Sequence, residues 1–197
     1  LRNARSTDTY PLRGGGVETW EPSCTFHGFR YVEVTGFPGK PTAKNIVGRV
    51  ITSATPQTGS FTCSSPMVNR LWSNVRWSQI ANFISIPTDC PQRDERQGWM
   101  GDAQIFFRTA AYNADVSAFF TKWMRDVNDE QSPEGAFRDT SPFLGHGLGG
   151  DGAPAWGDAG IIVPWAFHTV YSDTLLLREC WPFMEKWMVY LERINPD

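Results

Sequence analysis

Segment 89–102, which reads DCPQRDERQGWMGD, concentrates residue types that perform acid–base chemistry. It holds four carboxylates, two guanidinium groups and one indole, namely Asp89, Asp94, Glu95, Asp102, Arg93, Arg96 and Trp99. When several carboxyl groups lie close together and are partly buried, one of them can stay neutral near pH 7 and act as a general acid. The two arginines favour the ionised form, so we expect their side chains to point elsewhere or to orient another carboxylate.

A second segment, 153–159 with the sequence APAWGDA, combines an aromatic ring with a carboxylate at the start of a predicted helix. The ring of Trp156 can stack on the apolar face of a sugar while Asp158 accepts hydrogen bonds from its hydroxyl groups. Both segments also have a purely structural interpretation: a salt-bridged surface loop for 89–102, and a helix N-cap carboxylate beside a packed indole for 153–159. These residues alone leave both interpretations open for 89–102, and for 153–159 taken alone they favour the structural one.

The elements that must position these segments change type along the chain. Segments 25–34 and 45–51 are rich in β-branched and aromatic residues, which predicts strands. The stretch 53–66 is rich in Ser, Thr, Pro and Gly, and we interpret it as a boundary between domains. Two or three strands need a facing layer to bury their apolar sides, so they are not expected to stand alone.

After this stretch the apolar residues repeat with the period of a helix. The clearest set predicts an amphipathic helix with the spacing i, i+3, i+4, i+7, i+8 and i+11: Val116, Phe119, Phe120, Trp123, Met124 and Val127. Four further helices are expected: over 66–84, from an N-cap at Asp102 to Tyr112, over 159–171, and after Asp173 with a kink or break at Pro182. The apolar face of the first of these is marked by Val68, Leu71, Trp72, Val75, Ile80, Phe83 and Ile84.

Composition and charge exclude several classes of protein. With 18 basic and 21 acidic residues the net charge is −3, which lacks the basic excess typical of nucleic-acid binding. No apolar run approaches the roughly 18 residues of a membrane span. Cys24, Cys63, Cys90 and Cys180 form no cluster with one another or with histidine, so we expect no metal site. Segment 147–152 fits G-x-G-x-x-G but lacks the flanking strand and helix of a dinucleotide site, so no cofactor is expected.

Segment 89–102, continued by Ala103 and Gln104, resembles the signature of the bacterial and fungal α-L-rhamnosidases. The resemblance extends to segments 14–22 (GGGVETWEP), 26–36 (FHGFRYVEVTG) and 154–160 (PAWGDAG), whose order agrees with that family. These segments together span most of the chain, and the long signature is highly specific.

The resemblance implies a multidomain α and β fold, with a partial β-sandwich followed by a partial all-α (α/α)6 barrel. Residues 1–55 would form the C-terminal part of a β-sandwich domain, 56–66 a linker, and 67–197 the N-terminal part of the catalytic barrel. Twelve helices of mean length with mean loops need roughly 200 residues. The region after position 66 is shorter than that, so the barrel is expected to be incomplete.

The resemblance also implies a reaction, which is hydrolysis of terminal α-L-rhamnose with inversion by a carboxylic acid and a carboxylate base. In inverting enzymes the two groups lie about 6.5–9.5 Å apart, which leaves room for a water molecule. Glu95 corresponds to the general acid of the family. Contacts to the sugar are implied for Asp89, Arg93, Asp102 and Asp158, and aromatic walls for Trp99 and Trp156.

The general base of the family lies far downstream of the signature, and no position of this chain matches it. Glu134, Glu185 and Glu192 are available carboxylates, but none lies in a base motif. Two alternatives stay open: a non-catalytic carbohydrate-binding or interaction fragment, and a related (α/α)6-barrel glycosidase acting on another sugar. The expected partner is a rhamnose-containing glycoside or polysaccharide. Self-association through faces left by missing barrel helices is a further expectation, and the compartment is left open among periplasm, exterior and cytoplasm.

Overall fold

The computed structural model describes residues 5–145 and 151–196, and helices dominate the described part. A short 3-10 turn at Ala43–Asn45 precedes the helical region. The helices and strands that follow are α1 Pro66–Asn82, β1 Phe83–Ile84, β2 Ile86–Pro87, α2 Met100–Asn113, α3 Ser117–Asp129, α4 Pro154–Gly157, α5 Ala159–Tyr171 and α6 Leu175–Ile194. The five predicted helices are therefore present, and the four-residue α4 is added to them.

The core lies between α2, α3, α5 and α6. All six apolar residues of the stripe that predicted α3 are buried, so this periodicity identified the buried face correctly. The largest side chains that are almost fully buried are Trp123, Trp187, Phe107, Phe120, Phe137 and Phe167. Burying an apolar side chain of this size contributes about 1.5–3 kcal/mol, so these rings account for much of the packing that holds the helices together.

Three boundaries differ from the prediction. Helix α1 ends at Asn82, because the chain turns at Ser85, which has a φ of 66°, and pairs β1 with β2 in a short antiparallel hairpin. Helix α2 begins at Met100, so Asp102 is its third residue and not its N-cap. Helix α6 continues through Pro182, so of the predicted kink or break the break is absent.

Most of the predicted apolar face of α1 is not part of the core. Leu71 is 61% exposed and Val68 is 37% exposed, and the one buried residue of α1 is Gln79. The Gln79 side-chain amide bonds to α2, donating to the carbonyl of Ala110 and accepting from Asn113 at 3.1 Å. The apolar stripe of α1 correctly predicted a helix, but of the face expected to be buried only its last part is: Phe83, just after the helix, is 2% exposed and stacks on Phe119.

Residues 5–52 contain no strand in the structure, so the two strands predicted there, over 25–34 and 45–51, are wrong for this chain. Their apolar residues are largely exposed, with Tyr31 at 83% and Val47 at 78%. The physical reason is the absence, among the described residues, of a partner strand or facing layer for these segments. The partial β-sandwich is therefore not confirmed.

Other expectations concern membranes, metals and thiols. None of the helices in the described ranges is long and apolar enough to cross a membrane. Within the same ranges no group of three or more His, Cys, Asp or Glu residues could hold a metal ion. The cysteines are free thiols, and Cys90 and Cys180 are buried. The glycine motif at 147–152 falls largely outside the described residues.

Candidate active site

The loop that connects β2 to α2 carries most of the candidate residues, and backbone hydrogen bonds fix its shape. The N–H of Asp89 donates to the carbonyl of Gln97 at 3.0 Å, which closes the loop on itself. Its end is attached to a neighbouring segment, since the N–H of Ser141 donates to Gly98 and that of Met100 to Asp139, both at 2.9 Å. We call residues 88–99 the acidic loop.

Arg93 lies at the centre of the acidic loop and contacts two carboxylates. Its Nη2 donates to Oδ2 of Asp89 at 2.8 Å, and its Nη1 lies 3.3 Å from Oε2 of Glu95. The side chains of Asp89 and Glu95 are only 5% and 9% exposed. Arg93 thus orients another carboxylate, as expected, but it also reaches Glu95. Arg96 points away, with its guanidinium 4.5 Å from the ring centre of Phe26.

Glu95 is also held by an indole. Nε1 of Trp99 donates to Oε1 of Glu95 at 3.0 Å, so the two carboxylate oxygens of Glu95 face different neighbours. The rings of Trp99 and Trp156 lie 6.3 Å apart between centres, with an angle of 59° between their planes. Trp99 therefore orients the carboxyl group of Glu95, and its role as an aromatic wall stays a prediction.

Helix α4 brings the second segment, with Trp156, against α2. Nε2 of Gln104 donates to the carbonyl of Ala155 at 2.6 Å. A side chain at Gly101 would be crowded, because its Cβ would lie 3.1 Å from both Cδ1 and Nε1 of Trp156. The absence of a side chain at Gly101 therefore permits the close approach of the Trp156 ring to the start of α2.

Asp102 and Asp158 have different surroundings. Asp102 lies in the first turn of α2, where the residue as a whole is exposed but its carboxyl group is partly desolvated, and with Asp89 it lines a cavity of about 360 Å³ between α1 and α2. Asp158 occupies the N-cap position of α5 without a side-chain capping bond, and its Oδ1 accepts from Nε1 of Trp187 at 3.1 Å. Asp158 thus lies at a helix N-cap, as its structural interpretation predicted, but its carboxylate binds the indole of Trp187 in the core and not the helix backbone. Its predicted contact with sugar stays a prediction.

The pKa of Asp102 is raised above its ordinary value, first by partial burial of the carboxyl group and then by the charges of Asp89 and Glu95, while a hydrogen bond from its own backbone N–H and the charge of Arg93 oppose the shift. Its ionisation is therefore unfavourable in the folded state, and this penalty grows as pH rises from the ordinary value of 3.8. We expect Asp102→Asn to unfold at a higher urea concentration than wild type at pH 7. The difference should disappear below about pH 3.8, where the carboxyl group is neutral in both the folded and the unfolded state.

Asp115 provides a control of opposite sign, because hydrogen bonds from the Ser117 hydroxyl and backbone N–H lower the pKa of Asp115. Its ionised form stabilises the fold, so Asp115→Asn should lower the urea midpoint at pH 7, and the deficit should fade as pH falls through the lowered pKa. Midpoints measured from pH 3 to 8 check both signs. A difference between Asp102→Asn and wild type that does not change with pH would contradict the assignment.

Sequence reasoning missed a contact on the far side of the acidic loop. The N–H of Gly28 donates to the carbonyl of Pro91 at 3.1 Å. A Cβ at Gly28 would lie 2.7 Å from the carbonyl carbon of Pro91 and 2.8 Å from the nitrogen of Gln92. With Phe26 under Arg96, residues 26–28 form a support for the loop. The only signal in the sequence was the motif 26–36, which gave no indication of its partner.

We expect Gly28→Ala to displace the acidic loop, because the colliding atoms belong to backbone and cannot move aside as a side chain can. A misplacement of catalytic groups by about 1 Å lowers kcat/KM by up to about 10²-fold, and for this substitution in the complete gene product we expect a loss of about 10-fold. The matched control is Gly16→Ala, where no atom lies within 4 Å of the added Cβ. Equal kinetics of the two variants would show that the support has no effect on the loop.

Two protein-family models match adjacent parts of the chain. The bacterial alpha-L-rhamnosidase 6 hairpin glycosidase domain matches residues 56–197. The bacterial alpha-L-rhamnosidase concanavalin-like domain matches residues 1–52. The acidic loop and helices α1 to α6 all fall within the first match, while the support at 26–28 falls within the second.

Two curated relatives match nearly the whole chain. An alpha-L-rhamnosidase of Streptomyces avermitilis is 50% identical over 193 residues, which are 98% of this chain and 18% of the relative. An alpha-L-rhamnosidase of Formosa agariphila is 42% identical over 198 residues, covering 100% of this chain and 21% of the relative. The chain therefore spans about a fifth of the length of these relatives.

Two solved structures of alpha-L-rhamnosidases are similar in fold to this chain. The crystal structure of the Streptomyces avermitilis alpha-L-rhamnosidase complexed with L-rhamnose has a TM-score of 0.90 and 49% identity, covering 93% of this chain and 18% of that one. The alpha-L-rhamnosidase of Dictyoglumus thermophilum has a TM-score of 0.82 and 42% identity, covering 87% of this chain and 19% of that one.

The match over residues 56–197 places this part of the chain in the class of six-hairpin glycosidase domains. The chain belongs to the bacterial α-L-rhamnosidase family, since that family's domain model matches well over half of its residues. The resemblance of segment 89–102 is thereby confirmed, as is the expectation of a helical six-hairpin domain.

Proposed function

We propose that the complete gene product hydrolyses terminal non-reducing α-L-rhamnose with inversion, and that Glu95 is its general acid. The observation that carries this proposal is the position of the Glu95 carboxyl, with the Trp99 indole on one oxygen at 3.0 Å and Arg93 near the other at 3.3 Å. A carboxyl group held from two sides has a fixed direction, which proton delivery to a departing glycosidic oxygen requires.

The surrounding residues support the binding of a sugar. Polar groups for its hydroxyls come from Asp89, Arg93 and Asp102, which lie within electrostatic range of one another and of Glu95. Aromatic walls for its apolar face and methyl group come from Trp99 and Trp156. We propose that these residues and Asp158 are the substrate contacts of this chain.

The domain organisation belongs to the same proposal. Residues 1–55 would be the C-terminal part of a β-sandwich domain, 56–66 a linker, and 67–197 the N-terminal part of the (α/α)6 barrel. The general base would lie outside this fragment. Glu185 does not suit that role, because its carboxylate is exposed and accepts from Nε1 of Trp181 on the same helix.

The stereochemical outcome tests the mechanism. We expect proton NMR of a reaction followed from its first minutes to show β-L-rhamnose as the first-formed anomer from an α-L-rhamnoside. Early formation of the α anomer would contradict inversion, because it requires a covalent intermediate and a carboxylate separation of about 5–5.5 Å.

The competing functions are separated by substrate and binding measurements. A panel of aryl glycosides decides whether rhamnose or another sugar is the substrate. Rhamnose titrated into the 197-residue chain, with an activity assay alongside, distinguishes a binding fragment from an enzyme. Turnover by this chain alone would contradict the proposal that the base lies outside it, and light scattering of the same sample tests self-association.

A further inference from the structure

Cys90 is buried in the acidic loop, and its position is unlike that of a packing residue. Its side chain is 4% exposed, yet it does not belong to the continuous apolar core formed by the helices. Cys180, which is equally inaccessible, does belong to that core. The burial of Cys90 therefore has to be explained by its contacts within the loop.

The principal contact of the Cys90 thiol is with Arg93. Nε of Arg93 donates to Sγ of Cys90 at 3.2 Å, while its Nη2 donates to Asp89 and its Nη1 faces Glu95. Each of the three nitrogens of the guanidinium group therefore faces a different group of the same loop. The sulfur and the nearby carboxylates favour the charged form of Arg93 and raise its pKa further.

The planarity of the guanidinium group makes this contact consequential. The three nitrogens of a guanidinium lie in one plane, so a hydrogen bond that fixes the direction of Nε–H also fixes the directions of both Nη groups. Without that bond, rotation about Cδ–Nε would move both Nη groups. Asp89 is restrained independently by the backbone N–H of Gln97 at 3.0 Å. The restrained Asp89 therefore fixes one nitrogen of the guanidinium, and the contact between Nε and the Cys90 sulfur fixes a second, so the two contacts together set the angle at which the third nitrogen meets Glu95.

We propose that Cys90 is a positioning residue, whose sulfur holds the Arg93 guanidinium so that it spans Asp89 and Glu95. This inference rests on the proposed function, because Glu95 is the acid whose direction the guanidinium helps to fix. Cys90 itself contacts neither substrate nor reacting atoms. Its contribution passes entirely through Arg93, so the effect of removing the sulfur must depend on whether Arg93 is present.

A double-mutant cycle in the complete gene product tests this dependence. Cys90→Ala and the bulkier Cys90→Val both remove the acceptor and should lower kcat/KM by about 10-fold, while Cys90→Ser, which keeps an acceptor, should retain more activity than either. In an Arg93→Met background, Cys90→Ala should change kcat/KM by less than about twofold. Losses of equal size in both backgrounds would overturn the proposal.

Cys180→Ala is the matched control, because Sγ of Cys180 also accepts from a side-chain N–H, that of Asn128 at 3.4 Å, but lies in the helical core. It should lower Tm while leaving kcat/KM per folded molecule unchanged. If no rhamnoside is hydrolysed at all, the proposed function fails, and crystal structures of wild type and Cys90→Ala still test the positioning. A guanidinium found in the same place in both would overturn it.

Discussion

Glu95→Gln is expected to lower kcat/KM for rhamnosides with poor leaving groups by about 10²- to 10⁴-fold, the range that general acid catalysis contributes. Glutamine keeps the size of the side chain and its acceptor for the Trp99 indole, but it cannot release a proton to the departing oxygen. The loss should shrink for activated aryl rhamnosides, whose leaving groups need little protonation. Steady-state kinetics over a series of leaving groups of increasing pKa measures this trend.

The chain offers a closely matched control for this substitution. Nε1 of Trp181 donates to Oε1 of Glu185 at 2.9 Å, which repeats the contact between Trp99 and Glu95 with the same spacing of four residues. Glu185→Gln should leave kcat/KM unchanged, because the pair lies on an exposed part of α6. Near-normal turnover of an unactivated rhamnoside by Glu95→Gln would remove Glu95 from the role of general acid.

Arg93→Met is the second substitution with a large expected effect, a fall of about 10²- to 10³-fold in kcat/KM. Asp89, 5% exposed, would lose its ion-pair partner, and the Cys90 sulfur and one oxygen of Glu95 would lose the same neighbour. Arg93→Lys should recover only part of the activity, because a single ammonium group cannot reach three separated partners in one plane. Steady-state kinetics measures the loss of kcat/KM, and calorimetric titration with rhamnose measures the loss of sugar binding.

Arg125→Met controls for the loss of an arginine from an ion pair. Arg125 binds the carboxylate of Glu179 through two nitrogens, each at 3.0 Å, on the outer surface of α3 and α6. Exposed pairs contribute little to stability, so this variant should behave like wild type in both assays. If Arg93→Met were as active as Arg125→Met, the acidic loop would not depend on its central guanidinium.

The helical half of the fold was predictable because its main signal is periodic. In α3 the buried stripe appears in the sequence as a regular spacing, and every member of it is buried. The same signal over-predicted the core in α1, where Leu71 is exposed. Periodicity reports that a helix has an apolar side, but the burial of that side also depends on an element that covers it.

The candidate site was predictable to the extent that its residues are close in sequence. Asp89, Glu95, Trp99 and Asp102 lie within one segment, so their proximity could be anticipated, although the particular contact of Trp99 with Glu95 could not. The contact between Asp158 and Trp187 joins residues 29 positions apart, and no local pattern predicts a contact of that separation. Likewise, nothing in the sequence around Gly28 predicted that its backbone packs directly against the backbone of Pro91.

The contacts of residues 26–28 with the acidic loop affect how this family can be recombined. The loop that carries Glu95 lies in the hairpin domain, but one of its supports comes from the segment that matches the concanavalin-like domain. A chimera that joins the two domains from different relatives would place a foreign surface beneath Pro91 and Arg96. Such a chimera should fold and yet lose activity unless residues 26–28 and the acidic loop are exchanged together, so a working exchange has to cross the domain boundary.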